Sequence, residues 1–135
     1  MAVKTLLLDT NVLVRLLTGD LLAQRLAAVK LIEAERDACL LYPATLSEVV
    51  YVVRGSAYRW GPSEIVEGLR ALLLPPVTII DRAVVVRAVD LFERHHRDWD
   101  DCLLAAYALD VSDGRIASFD RGLDRIPGVQ RLTPA

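Results

Sequence analysis

Apolar positions along the chain recur in two patterns. Continuous apolar runs at residues 3–8, 39–42, 77–80 and 115–118 are short and bounded by turn-forming or acidic residues, the mark of buried strands. Between them the apolar residues fall at helical spacing. Residues 10–17 form a short helix ending at Gly19, and Asp20 caps a longer one with Leu22, Leu26, Val29 and Ile32 on its buried face. Residues 45–54 carry the stripe Leu46, Val49, Val50 and Val53, although their valine content also suits a strand. After a turn at residues 55–61, Pro62-Ser63-Glu64 opens a helix with the stripe Ile65, Leu69, Leu72 and Leu73, which Pro75-Pro76 ends. A helix from Asp81 buries Val85, Ala88, Val89 and Phe92. Beyond a charged break at residues 93–97, Asp98-Trp99-Asp100-Asp101 leads a small-residue helix with Leu104, Ala105 and Ala108 inward. Val129 and Leu132 suggest an added edge strand.

Strands alternating with helices in this way imply parallel pairing through right-handed crossovers, with helices on both faces of the sheet. The expected fold is α/β, a three-layer arrangement with a central, mainly parallel sheet of four to five strands. At 135 residues and 53% hydrophobic content, residues 1–135 suit a single domain with a substantial core.

Composition removes several classes. Seven glycines and six prolines are scattered, without repeats or low-complexity tracts, so the chain is neither fibrous nor disordered. Cys39 and Cys102 sit among apolar neighbours without metal-type spacing and read as reduced buried thiols, which points to the cytoplasm. Lys4 before an apolar run resembles a signal peptide, but Asp9, Asn11 and Arg15 interrupt the run, and no stretch is long enough to span a membrane. The net charge of −2 argues against binding nucleic acid by overall positive charge. Setting four acids aside leaves the remainder positive, and fourteen of the sixteen basic residues are arginines, which suit phosphate as well as an ordinary surface.

The acids change the picture most. Asp9 and Asp120 each follow a short apolar strand, so a parallel sheet brings both to its carboxyl edge, where α/β folds build ligand sites. Glu48 lies one turn into the helix after the second strand, and Asp101 at the start of the helix before the fourth. Four carboxylates gathered in one cleft raise one another's pKa unless a cation offsets them. The donors are all oxygen, which favours Mg²⁺ or Mn²⁺ over Zn²⁺, and carboxylate-held ions of that kind suit phosphodiester hydrolysis. Each acid also has a structural reading. Asp9 suits a helix cap, Thr45 and Glu48 a capping box, Asp98 to Asp101 the acidic start of a helix, and Asp120 a turn before Arg121-Gly122. His95-His96 reads as a solvated helix end, and Trp60 and Trp99 as packing residues. Ser47, Ser118 and Cys102 have no histidine in a context that would make them nucleophiles.

Four segments in order, Leu8-Asp9-Thr10-Asn11-Val12-Leu13, Leu46-Ser47-Glu48-Val49-Val50, Asp98-Trp99-Asp100-Asp101-Cys102-Leu103-Leu104-Ala105-Ala106 and Ser118-Phe119-Asp120, resemble the PIN-domain family. In particular they are similar to its VapC-type toxin ribonucleases from toxin–antitoxin pairs. The resemblance covers nearly the whole chain. It implies that Asp9, Glu48, Asp101 and Asp120 hold Mg²⁺ or Mn²⁺ and activate water for RNA cleavage. It also implies that Asp98 is a helper or N-cap and that Asn11 and Ser118 orient the acids, Ser118 standing where the family usually has Thr. With Asp9 as a ligand, Thr10 takes the capping role. A homodimer and a VapB-type antitoxin are the implied partners.

Two other readings are a non-catalytic interaction domain of the same fold, and a nuclease acting on DNA. The chain is too compact for the helical arch of the flap-type DNA nucleases. Receiver domains and haloacid-dehalogenase-like phosphatases share an acidic strand edge, but their resemblance requires a late lysine, and the only lysines are Lys4 and Lys30.

Overall fold

The computed structural model describes residues 4–95 and 98–135. Val3, which begins the first expected strand, and His96 and Arg97 lie outside the described residues. The order of elements is β1 (Leu6–Leu7), α1 (Thr10–Thr18), α2 (Leu22–Ala34), β2 (Cys39–Leu41), α3 (Pro43–Arg54), α4 (Pro62–Leu72), β3 (Thr78–Ile79), α5 (Arg82–His95), α6 (Trp99–Val111), β4 (Arg115–Ala117), a 3₁₀ turn (Arg121–Arg125) and β5 (Gln130–Leu132). The fold is α/β, and all of its strand pairs are parallel. They form two compact units, divided after Asp81.

In the first unit β2 is the middle strand of three. Leu6 and Leu7 of β1 pair with Cys39 and Leu40, while Leu40 and Leu41 pair with Thr78 and Ile79 of β3. Parallel register sends the three carboxyl ends to one edge, so Asp9, Tyr42 and Asp81 all follow strands there. Pro43 stops β2 and also starts α3, since proline at the first helical position lacks only an N–H the helix would leave unpaired. The α3 stripe of Leu46, Val49, Val50 and Val53 is fully buried, as is the α4 stripe of Ile65, Leu69, Leu72 and Leu73. Packing has overridden the weak helix propensity of the valines.

The second helix departs from expectation. Leu22 is 62% exposed and Leu26 57%, Val29 is exposed too, and only Ala28 and Ile32 of α2 are buried. The helix lies on its small-residue side. Nor does Asp20 cap it: the cap position is Leu21, without a side-chain bond, and Asp20 turns back to Arg15, Thr18 and Tyr58.

In the second unit α5 packs on α6, with Phe92 and Trp99 edge to face at 6.1 Å between ring centres. Val85, Ala88, Val89 and Phe92 are buried as their spacing requires, but Leu104 is 49% exposed, and Trp99, Cys102, Ala105, Ala106 and Ala108 make the buried side of α6. β4 and β5 pair parallel, Ile116 opposite Arg131. The turn from α6 into β4 depends on Gly114: its φ is +81°, and a methyl group there would overlap the carbonyl oxygen of Gly128. Both cysteines are buried thiols outside any disulfide among the described residues, and burial raises the Cys39 thiol pKa.

Candidate active site

The end of β1 makes the first half of the site. Asp9 is the N-cap of α1, its Oδ1 accepting from the Thr10 N–H at 2.8 Å. The cap and the candidate ligand are therefore the same residue, and Thr10 does not take the capping role. Its hydroxyl instead donates to Glu48 Oε2 at 2.7 Å. One threonine thus ties two carboxylates together across 38 positions of sequence, one through its backbone and one through its side chain. This also decides between the readings of Glu48: α3 is capped at Tyr42, without a side-chain bond, and Glu48 faces Thr10 rather than closing a capping box with Thr45.

Asp9, Thr10, Asn11, Arg15, Glu48 and Tyr58 line a cleft of about 300 Å³. Asn11 and Arg15 stand four residues apart and project from the same face of α1. Arg15 Nη1 donates to Asp20 Oδ1 at 3.1 Å and to the Tyr58 hydroxyl at 3.0 Å, and Nε donates to Gln24 Oε1 at 2.9 Å. The Tyr58 hydroxyl donates in turn to Asp20 Oδ2 at 2.7 Å, and Thr18 Oγ1 to Oδ1 at 2.8 Å. The hydrogen bond with Tyr58, joined by the charge of Asp20, raises the Arg15 pKa; the hydrogen bonds from Tyr58 and Thr18, with Arg15 beside them, lower that of Asp20. Gly19 allows this return of the chain: its φ is +64°, and its N–H closes α1 on Arg15 O at 3.0 Å.

The second unit carries the other acids. Asp98 is the N-cap of α6, with no side-chain cap bond, and Asp100 and Asp101 fill the first turn. Asp101 is half-buried and engaged by partners, whereas Asp100 is exposed. Asp120 follows β4 and caps the 3₁₀ turn, Oδ1 accepting from the Gly122 N–H at 2.8 Å. Ser118 Oγ accepts from the Asp120 N–H at 2.9 Å, so its hydroxyl holds the backbone that carries the acid. Arg131 fixes the same loop from β5. Its Nε and Nη2 grip both oxygens of Asp124 at 3.0 and 3.1 Å, and Nη1 donates to Ser118 O at 3.1 Å. That grip lowers the Asp124 pKa and raises that of Arg131. Asp120 therefore combines turn-forming geometry with an exposed carboxylate.

Within the first unit Asp9, Asn11 and Glu48 come together; within the second, Ser118 and Asp120 do, and Asp98 and Asp101 share the start of α6. No group of three or more His, Cys, Asp or Glu side chains that could hold a metal ion is assembled among the described residues. The chemistry of the donors nevertheless fits a hard divalent cation, because Asp9 and Glu48 offer carboxylate oxygens on an accessible edge with free acceptor capacity beyond the bonds to Thr10. Spacing did not single out Thr10 as the link, or Arg15 and Tyr58 as parts of the cleft. Arg15 had counted only as an interruption of an apolar run, although its position four residues after Asn11 was visible.

Acids at the carboxyl ends of parallel strands stand where α/β folds build their ligand sites. A family model described as the PIN domain matches residues 6–129 of the 135. The chain belongs to the PIN domain family, whose fold is a nuclease-type fold and whose members are generally metal-dependent nucleases. A search of curated proteins gave no match to the chain. No helix among the described residues is long and apolar enough to cross a membrane.

Proposed function

We propose that the protein is a metal-dependent endoribonuclease, the toxin of a VapC-type toxin–antitoxin pair, acting in the cytoplasm as a single PIN domain. The observation that carries the reading is the Asp9–Thr10–Glu48 link at the carboxyl edge of β1, in a chain of a nuclease family. Asp9, Glu48, Asp101 and Asp120 are the residues that would hold Mg²⁺ or Mn²⁺. When bound, such an ion lowers the pKa of water and offsets charge on the leaving oxygen.

The chain's own residues do the rest. Thr10 fixes the separation of Asp9 and Glu48 before any ion arrives, which reduces the reorganisation needed on binding. Asn11 stands beside them with an amide able to orient a carboxylate or a phosphate. Ser118 and Arg131 hold the strand end that bears Asp120, and Asp98 opens the helix that bears Asp101. The proposed partners are a second copy and a VapB-type antitoxin. A chain that neither bound metal in titration nor cut a panel of structured RNAs with Mg²⁺ or Mn²⁺ would be a non-catalytic interaction domain instead. Cleavage of total RNA by the unaltered chain and by Glu48→Gln tests the proposal: the first should cut and the second should not.

A further inference from the structure

The guanidinium of Arg15 is oriented but not used up. Of its five N–H groups, Nε goes to Gln24 and the two on Nη1 go to Asp20 and Tyr58; Nη2 has no hydrogen-bond partner among the described residues. The side chain keeps 24% of its surface exposed, and among the described residues Arg15 is the only basic one lining the cleft that holds Asp9 and Glu48. A staple between α1 and the following turn would need only the Asp20 pair. The Tyr58 hydroxyl adds a link from the α3–α4 connection, and Gln24 one from α2, so three segments set the plane of a fork whose remaining two donors are open.

We infer that Arg15 is a substrate-binding residue that grips a backbone phosphate flanking the scissile bond, with Asp20, Tyr58 and Gln24 as positioning residues for its guanidinium. The two N–H groups on Nη2 point in directions that the three partners fix, so phosphate oxygens are met from a set plane, which a freely rotating lysine ammonium does not reproduce. Arg15 stands about 9 Å along α1 from Asp9, a separation suited to a neighbouring phosphate rather than the one under attack. A second groove of about 510 Å³, lined by Asn11, Arg15, Gln24 and Leu31 among others, continues from the cleft and gives the strand a path. Gln24, whose oxygen accepts from Arg15, lines this groove as well.

The inference rests on the nuclease reading, and the test separates the two. Cleavage of a fluorescently labelled, mixed-sequence single-stranded RNA is followed with Mn²⁺ across salt concentrations for Arg15→Gln, Arg15→Lys, Tyr58→Phe and the surface control Arg36→Gln. Arg15→Gln should raise KM about tenfold or more with kcat little changed, and the salt slope of binding should fall by about one phosphate contact. Arg15→Lys should keep the slope but not the KM; Tyr58→Phe should raise KM by a smaller factor, and the control should do neither. Unchanged KM in Arg15→Lys and Tyr58→Phe overturns the inference, even if Arg15→Gln fails to fold, and a lower melting temperature with unchanged KM reduces Arg15 to a staple. Absence of cleavage by the unaltered chain overturns the nuclease reading, and this inference with it.

Discussion

At the scale of single residues, Asp9 does two jobs that substitution can separate. Asparagine caps a helix as well as aspartate does but supplies a neutral oxygen to a cation. Asp9→Asn should therefore leave the melting temperature within a few degrees of the original while cleavage falls below detection. Thr10→Val removes the hydroxyl that holds Glu48 and leaves the backbone bond to Asp9 intact. A loss of roughly 10- to 100-fold in activity or metal affinity is expected, the usual effect of a residue that orients a metal-holding carboxylate. Asp20 and Asp124 each contribute to the pH dependence of stability on the acid side. Their folded pKa values lie below the ordinary 3.8, so the stability they contribute is complete above that value and is lost as pH falls through it toward the folded pKa. Melting curves between pH 5 and 2 should be less steep in pH for Asp20→Asn and Asp124→Asn than for the unaltered chain. The strand-end positions of Asp9 and Asp120 were legible because strand ends carry a sequence mark; the link through Thr10 was not, because hydroxyl partners 38 residues away leave none.

At the scale of elements, periodicity located buried faces well where a helix is enclosed and poorly where it lies at the surface. α3 and α4 bury the stripes their spacing marks, whereas α2 leaves Leu22 and Leu26 exposed and buries Ala28 and Ile32. A helix offers several faces of similar hydrophobicity when leucine and alanine are spread around it, and the available neighbours then choose. α6 repeats the lesson, with its alanines inward and Leu104 outward. Substitution should reflect this contrast. Leu46→Ala should cost about 2–5 kcal/mol by urea denaturation, and Leu26→Gln within about 0.5 kcal/mol. Strand lengths were overestimated at β1 and β4: residues 4 and 5 stay outside β1, and the strands end at Leu7 and Ala117 although the N–H groups of Leu8 and Ser118 still donate to Leu40 O and Leu132 O before the chain turns at Asp9 and Asp120. Gly114→Ala should destabilise by about 1–3 kcal/mol, since a side chain there meets both positive φ and the Gly128 carbonyl.

At the scale of the whole molecule, the α/β class and the parallel pairing followed from the alternation of elements. Among the described residues, hydrogen bonding groups the strands as three in the first unit and a pair in the second. The family match runs through both units, from the first strand to the start of the last. Asp9 and its partner acids are proposed to make the chain a metal-dependent ribonuclease. The most direct test is cleavage-site mapping on total RNA with the purified chain, in EDTA and then with Mg²⁺ or Mn²⁺ restored, beside Asp9→Asn. Discrete cuts are expected that vanish in EDTA, return with either ion and are missing from the Asp9→Asn reaction. Cuts that persist in EDTA, or that Asp9→Asn makes as well as the unaltered chain, would contradict the proposal.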